Sequence, residues 1–196
     1  MANSDKKSKR DPQIFIAIGV TIISLCALVV SLKQTQLMTE EGELIREYSR
    51  ASVWPRLELG VSKGHDADGR LNMFRLNITN NGVGPAIITD VRVAYKDSIA
   101  TDWWHFFELI SVPDSIETSI TNRKINKIII PAGETLEILN LDDNLPLANQ
   151  FYMKAQGLKI DIYYESIYHE AWRYDGSETE LLEDFEGLDE EVQFDS

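Results

Sequence analysis

The sequence has little cysteine, and this scarcity limits the kind of protein it can be. Its single cysteine, Cys26, lies within a long apolar run, so the rest of the chain cannot form an intrachain disulfide. Extracellular domains of eukaryotes often carry disulfides because they fold in an oxidising compartment. The cysteine content therefore favours an origin in a bacterial envelope or in a virus of bacteria.

The sequence also lacks the motifs that indicate catalysis. It contains no G-x-S-x-G nucleophile elbow, and its one thiol lies in the apolar run. Gly82 and Gly84 begin a G-x-G pattern, but Pro85 follows and the third glycine of a dinucleotide-binding loop is missing. We expect these glycines to supply positive φ in a turn. The prediction is that the protein is not an enzyme and holds no cofactor. A hydrolase whose site is assembled from scattered residues is the alternative.

Metal-ligating patterns are equally scarce. Residues 65–69, which read HDADG, place oxygen ligands on alternate positions, but the distant glutamate of an EF-hand is missing. We interpret this segment as the tip of a hairpin. His105 and His169 are far apart in sequence and neither belongs to a ligand-spaced pair, whereas zinc sites use three or four ligands. No metal site is predicted.

Positive charge is absent from the end of the sequence. The net charge is −13, and residues 175–196 hold ten acidic residues without a Lys or an Arg. A basic surface for nucleic acid is therefore not expected. We predict that residues 175–196 form an acidic tail that is solvated and dispensable for folding. The alternative is an amphipathic helix that folds on a partner. Its apolar face would consist of Leu181, Phe185, Leu188 and Val192.

One long stretch has no charged residue. Residues 14–32 also lack proline and amide side chains, and as a helix they would extend about 29 Å, close to the hydrocarbon thickness of a bilayer. A secretory signal peptide has a shorter apolar core and a small-residue cleavage site, which residues 30–34 do not provide. A buried core helix is a further alternative. The sequence predicts an uncleaved transmembrane helix that contacts membrane lipid.

Lys and Arg are distributed unequally around this run. Four basic residues precede it, namely Lys6, Lys7, Lys9 and Arg10. At its other end Lys33 is adjacent, and the next basic residues lie more than a dozen positions away. Because loops rich in Lys and Arg stay in the cytoplasm, residues 1–13 are predicted to be cytoplasmic. The predicted location is a single pass through the inner (plasma) membrane, with the C-terminal domain periplasmic or extracellular.

The helix is expected to continue beyond the membrane. Residues 33–52 contain no proline and many good helix formers, which predicts a helical stalk that ends before Pro55. Apolar residues keep a seven-residue period at Val30, Leu37 and Leu44. Gln34 and Glu41 interrupt the seam that a coiled coil requires. A stalk that packs on its own domain is therefore favoured, with oligomerisation through the span and stalk as the alternative.

From residue 53 to residue 174 the apolar period changes to two. The alternating segments are residues 57–61, 74–79, 90–95, 127–130, 135–141, 158–164 and 170–174. Half-buried strands separated by turn residues are typical of an antiparallel sandwich. The fold class predicted is mainly β: an immunoglobulin-like antiparallel β-sandwich over residues 53–174, preceded by the transmembrane helix and the helical stalk.

Two segments depart from the strand pattern and are predicted to be short inserted helices. Residues 102–110 would be capped by Thr101 or Asp102, and residues 144–156 would carry Pro146 in their first turn. Within the first lie four aromatic residues, Trp103, Trp104, Phe106 and Phe107. They cannot all face one side of a helix. They either close an open end of the core or form the candidate partner surface.

The segment at residues 76–91, LNITNNGVGPAIITDV, resembles the strand-turn-strand of bacterial immunoglobulin-like modules. With the P-A-G-E turn at residues 131–134 and an aromatic-rich hairpin at residues 164–172, the chain is similar to uncharacterised bacterial single-pass membrane proteins with an immunoglobulin-like outer domain. The resemblance covers most of residues 46–174 and implies architecture and topology, without an activity.

The expected function is that of a membrane-anchored binding or scaffolding module acting on an envelope or membrane protein. This expectation rests on the anchor, on the β-rich domain and on the lack of catalytic motifs. A structural or exclusion membrane protein encoded by a bacterial virus is a further alternative.

Overall fold

The computed structural model describes residues 12–195 of the chain. These residues fall into two compact units that divide between Ser49 and Arg50. The basic cluster that predicts a cytoplasmic N-terminus lies at residues 6–10, outside the described residues.

The described part of the first unit belongs to one continuous helix, α1, at Pro12–Ala51, whose last two residues lie in the second unit. It includes the predicted span and nearly all of the predicted stalk, because no proline follows Pro12 before the helix ends. Its most apolar window has a mean hydropathy of 2.7 and is 0% buried. The helix is thus long and apolar enough to cross a membrane, a property that a signal sequence near an N-terminus shares.

Among the described residues, the second unit contains ten strands and two short α-helices after the end of α1. In chain order these are β1 (Leu57–His65), β2 (Leu71–Asn80), β3 (Ala86–Tyr95), β4 (Ser98–Ala100), α2 (Trp103–Leu109), β5 (Thr121–Asn122), β6 (Ile129–Ile130), β7 (Thr135–Asn140), α3 (Leu145–Lys154), β8 (Leu158–Glu165), β9 (Ala171–Tyr174) and β10 (Thr179–Leu182). A 3₁₀ turn, Ala155–Gly157, joins α3 to β8.

The strands form two antiparallel sheets. The first has the order β1-β2-β7-β5, and the second has the order β10-β9-β8-β3-β4 with β6 paired to the start of β3. The register of β1 on β2 runs from Leu57 opposite Asn80 to Lys63 opposite Phe74, and it shifts between Gly64 and His65. Alternation of apolar residues at period two explains why each sheet turns one face to the core. The other face of the second sheet is partly covered by the C-terminal segment, where Phe185 stacks on Tyr163.

Both sheets contribute to a hydrophobic core. The first sheet supplies Leu76 and Ile78, and the second supplies Val91 and Ile162, each with at most 1% of its surface exposed. The seven strands predicted from the sequence are confirmed as β1, β2, β3, β6, β7, β8 and β9. The pattern did not indicate β4, β5 and β10, because their sequences, SIA, TN and TELL, show no apolar alternation at period two.

Both inserted helices are confirmed. Asp102 is the N-cap of α2, and its carboxylate accepts a hydrogen bond from the backbone N–H of His105 at 2.8 Å. Asn144 precedes α3, and its side-chain oxygen accepts from the backbone N–H of Leu147 at 3.3 Å. Pro146 lies in the first turn, where its missing N–H needs no partner.

The predicted acidic tail is wrong, because part of residues 175–196 belongs to the folded domain. β10 extends the second sheet through pairing with β9. Phe194 is 0% exposed, and its ring lies 5.0 Å from that of Trp103. Its backbone N–H donates to Val91 O at 2.8 Å, which places the segment beside β3. The isolated phenylalanine anchors the segment despite the surrounding negative charge.

The turn between β2 and β3 also differs from its expected geometry. Gly82 and Gly84 are not among the residues with positive φ. They lie against the backbone that leads into β1, so that a Cβ on Gly84 would stand 1.9 Å from the carbonyl oxygen of Val53. Glycine is required there by close backbone approach rather than by turn conformation.

Candidate binding groove

Three of the four residues of the predicted aromatic surface lie in the core. Trp103 and Phe106 are 0% exposed and Phe107 is 2% exposed. The predicted contact surface is therefore wrong for these three, and the alternative that they fill the core describes them. Trp104, on the opposite side of α2, is 48% exposed and alone remains available to a partner.

The four residues predicted as a tail contact do not share a helical face. Leu181 is part of β10 and exposed, whereas Phe185 stacks on Tyr163 with ring centroids 4.7 Å apart. Leu188 and Val192 are half-buried in a segment without regular structure. In this structure β-pairing and aromatic stacking hold the segment on the domain instead.

Buried carboxylates in the domain have structural partners. Asp161 is 6% exposed, and its carboxylate accepts hydrogen bonds from Arg92 Nε at 2.9 Å and from Arg173 Nε at 3.2 Å. Asp90, also 6% exposed, accepts from the side-chain amide of Gln193. These contacts satisfy the acids through neighbouring strands and the C-terminal segment.

The segment at residues 65–69 forms a closed turn. The Oδ1 atom of Asp66 accepts from the backbone N–H groups of Asp68 at 2.9 Å and Arg70 at 2.8 Å. This carboxylate therefore closes the hairpin tip. His105 and His169 lie on different elements, and within residues 12–195 no group of three or more His, Cys, Asp and Glu side chains is placed to hold a metal ion.

The feature of the domain best suited to binding is a groove of about 850 Å³. We call it the β1 groove, because it follows one face of β1, at the side chains of Leu59, Val61 and Lys63. Its other walls come from β2, the end of α3, the start of β8 and the turn between β9 and β10. The lining residues besides those of β1 are Phe74, Leu76, Phe151, Tyr152, Met153, Gln156, Leu158, Lys159, Ile160, Asp175, Gly176 and Ser177.

The floor of the β1 groove is rigid and apolar. Phe74 and Phe151 are each 1% exposed, and their ring centroids lie 5.2 Å apart. Their packing fixes α3 on β2, because two buried aromatic rings lose contact area if either element moves. The groove is thus formed by the folded core itself.

Apolar side chains remain exposed along the rim of the β1 groove. Val61 is 52% exposed, Tyr152 45% and Met153 75%. Met adapts its shape to a bound surface, and Tyr offers both an apolar ring and a hydroxyl. Lys63 Nζ lies 4.7 Å from the centre of the Tyr152 ring and donates to its hydroxyl at 3.1 Å. This contact orients Tyr152 at the rim.

One acidic residue of the β1 groove is held by its own turn. Asp175 Oδ1 accepts from the backbone N–H groups of Ser177 and Glu178 and from the Ser177 hydroxyl, each at 2.9 Å. The N–H groups of Glu178 and Ser177 lower the pKa of Asp175 to about 2. The carboxylate therefore stays ionised and keeps the turn closed. Lys63 and Lys159 supply the positive charge of the groove.

No family model, curated protein or solved structure matches the chain.

Sequence reasoning did not predict the β1 groove. Its residues come from four separate elements, and none belongs to a motif. The available signal was local: Tyr152 and Met153 follow each other on α3, where a helix that buries Phe151 must turn the next residues outward. This pattern indicates that Tyr152 and Met153 are exposed, but it does not reveal that β1 lies across the groove from them.

Proposed function

We propose that the protein is a membrane-anchored binding module whose β1 groove receives a segment of an envelope or membrane protein. The observation that carries this proposal is the row of exposed apolar side chains, Val61, Tyr152 and Met153, above a rigid aromatic floor. Protein interfaces are enriched in aromatic residues and Met around an apolar centre with a polar rim. The lysines of the groove provide such a rim.

The domain that presents the groove is, in this proposal, an immunoglobulin-like sandwich. Constant-type immunoglobulin domains place strands A, B, E and D in one sheet and C, F and G in the other. Across the first sheet, β1, β2, β7 and β5 correspond to A, B, E and D, while in the second sheet β3, β8 and β9 correspond to C, F and G. The strand order supports the assignment, as does the resemblance at residues 76–91 to bacterial immunoglobulin-like modules.

A photo-cross-linking experiment tests the binding function. The full chain is expressed in intact cells with p-benzoylphenylalanine in place of Met153, which lies on the groove rim and is 75% exposed. We expect irradiation to join it to one envelope or membrane protein, because the cross-linker reaches only groups in contact with the rim. Mass spectrometry identifies the partner and the joined segment.

Val83 provides the matched control for this experiment. It is 66% exposed and lies in the turn between β2 and β3, outside the β1 groove. The same partner should not be joined from this position. Equal yields from Met153 and Val83, or the lack of a product at Met153, would contradict a groove-specific binding module.

We further propose that α1 is an uncleaved anchor in the inner membrane, with the N-terminus cytoplasmic and the domain periplasmic or extracellular. The apolar length of α1 and the basic residues before it support this orientation. In spheroplasts of a bacterial host, added protease is expected to remove the domain and to spare an N-terminal epitope tag. A domain that is degraded only after lysis would reverse the topology, and loss of the tag from the mature protein would indicate a cleaved signal sequence.

A further inference from the structure

The outer edge of β1 has backbone groups that face away from its sheet. Among the described strands β1 pairs with β2 alone. Arg56 O faces the β2 side, where it accepts a hydrogen bond from Asn81 N. Leu59 N faces away from β2 and donates to the Tyr174 hydroxyl at 3.3 Å. Because hydrogen-bonding directions alternate along an antiparallel strand, the N–H and C=O groups of Val61 and Lys63 also point outward.

The second sheet covers only the first half of this edge. Leu57 is 1% exposed, and the Tyr174 hydroxyl accepts the hydrogen bond of the outward N–H of Leu59. Beyond Tyr174 the edge is open, since Val61 is 52% exposed and Lys63 is exposed too. The register shift between Gly64 and His65 ends the regular part of the edge. The open stretch therefore spans the two outward positions that border the β1 groove.

We propose that the β1 groove binds its partner by strand addition, in which an extended segment of the partner pairs with the backbone of Val61 and Lys63. This inference rests on the proposed function and specifies its mode. Alternate side chains of the added strand would enter the groove, so the segment carries apolar residues at every second position. Its backbone would satisfy the outward N–H and C=O groups that the second sheet leaves open.

The charges of the groove specify the remaining side chains of the segment. Lys63 and Lys159 lie on its walls, while Asp175 is already occupied by the N–H groups of its own turn. The two lysines outnumber the ionised Asp175, so the groove carries a net positive charge on a chain whose net charge is −13. The occupant is an extended segment in which apolar residues alternate with residues that include acids.

Binding of a defined probe tests the mode of recognition. The probe is a fluorescein-labelled octapeptide of alternating Val and Glu, titrated against the full chain in detergent micelles and followed by fluorescence anisotropy. Two further peptides carry N-methyl groups on the Val amides or on the Glu amides. In an added strand the Val amides point to one edge and the Glu amides to the other, and only one edge pairs with β1. We therefore expect N-methylation of one set of amides to abolish binding and N-methylation of the other set to preserve it.

Two protein variants test the contribution of β1. Val61→Pro removes an outward N–H without touching the ladder to β2, and an edge strand tolerates proline at such a position. We expect binding of the octapeptide to weaken about tenfold, which corresponds to the loss of one hydrogen bond. Val61→Ala keeps the N–H and should weaken binding less. The thermal midpoint of each variant checks that it is folded.

The outcomes separate the binding mode from the proposed function. Strand addition is overturned if both N-methylated peptides bind equally well. It is also overturned if Val61→Ala and Val61→Pro weaken binding of the octapeptide equally. If Met153 still forms its specific cross-link in intact cells under that outcome, the binding function stands and only its mode is wrong. The lack of both octapeptide binding and the cross-link overturns both proposals. Dimers joined through β1 would identify a second copy of the chain as the occupant and overturn a heterologous partner.

Discussion

Replacing Phe194 by Ala is expected to lower the free energy of unfolding by about 3–5 kcal/mol, the range for truncating a buried phenylalanine. The ring is 0% exposed and packs edge-on against Trp103, with an interplanar angle of 79°. Removing it leaves a cavity beside α2 and releases the anchor of the C-terminal segment. Thermal or urea unfolding of the full chain, followed by circular dichroism, measures the effect.

Leu181→Ala provides the control within the same acidic region. Leu181 is 59% exposed on β10, so its truncation should change the free energy of unfolding by no more than about 0.5 kcal/mol. If Phe194→Ala is equally mild, the burial of Phe194 does not stabilise the domain. The solvated tail indicated by the composition would then be the correct description.

The period-two pattern was sufficient to locate the long strands of the domain. β2 buries alternate residues against the core, and such alternation is visible in sequence because one face of the strand meets the core and the other meets solvent. β8 alternates in sequence at Leu158, Ile160, Ile162 and Tyr164, although Asp161 and Tyr163 between them are buried too. The end of the chain has no such pattern. A single residue, Phe194, determines where its segment lies, and one buried ring among acids has the same local sequence as a solvated tail.

The sequence identified the aromatic cluster in α2 but not the direction in which it faces. Asp102 fixes the start of the helix, and Trp103 and Phe106 then lie one turn apart on the buried side. Trp104 is rotated out of that face. Which side would meet the core depended on the position of Phe194 and of Phe151 on α3, and both approach α2 through tertiary packing.

The β1 groove was beyond prediction for a related reason. Its floor joins Phe74 on β2 to Phe151 on α3, residues that are distant in sequence and meet only in the folded domain. The open edge at Val61 depends on where Tyr174 stops covering β1. Sequence periodicity gives the faces of single elements, whereas a groove results from the spacing between elements.

Gly84→Ala is expected to destabilise the domain by about 3 kcal/mol or more, at the upper end of the range for overpacking. An added Cβ would lie 1.9 Å from Val53 O and 2.4 Å from the Val53 carbonyl carbon. The clash involves backbone atoms, so rotation of a flexible side chain cannot relieve it. The turn between β2 and β3 would have to separate from the segment that leads into β1, breaking the hydrogen bond from Val83 N to Trp54 O.

Gly60→Ala is the matched control, because Gly60 lies within β1 and a Cβ there meets no atom within 4 Å. This variant should be neutral or slightly stabilising, since alanine reduces the conformational entropy of the unfolded chain. Urea denaturation of both variants measures the difference. Similar free energies of unfolding would show that the backbone near Val53 moves away readily, and close approach would not explain the glycine at position 84. A loss of stability in Gly84→Ala alone would instead show that the close contact between Gly84 and the Val53 backbone holds the start of β1 on the domain. The same contact would then help to position the strand that borders the groove.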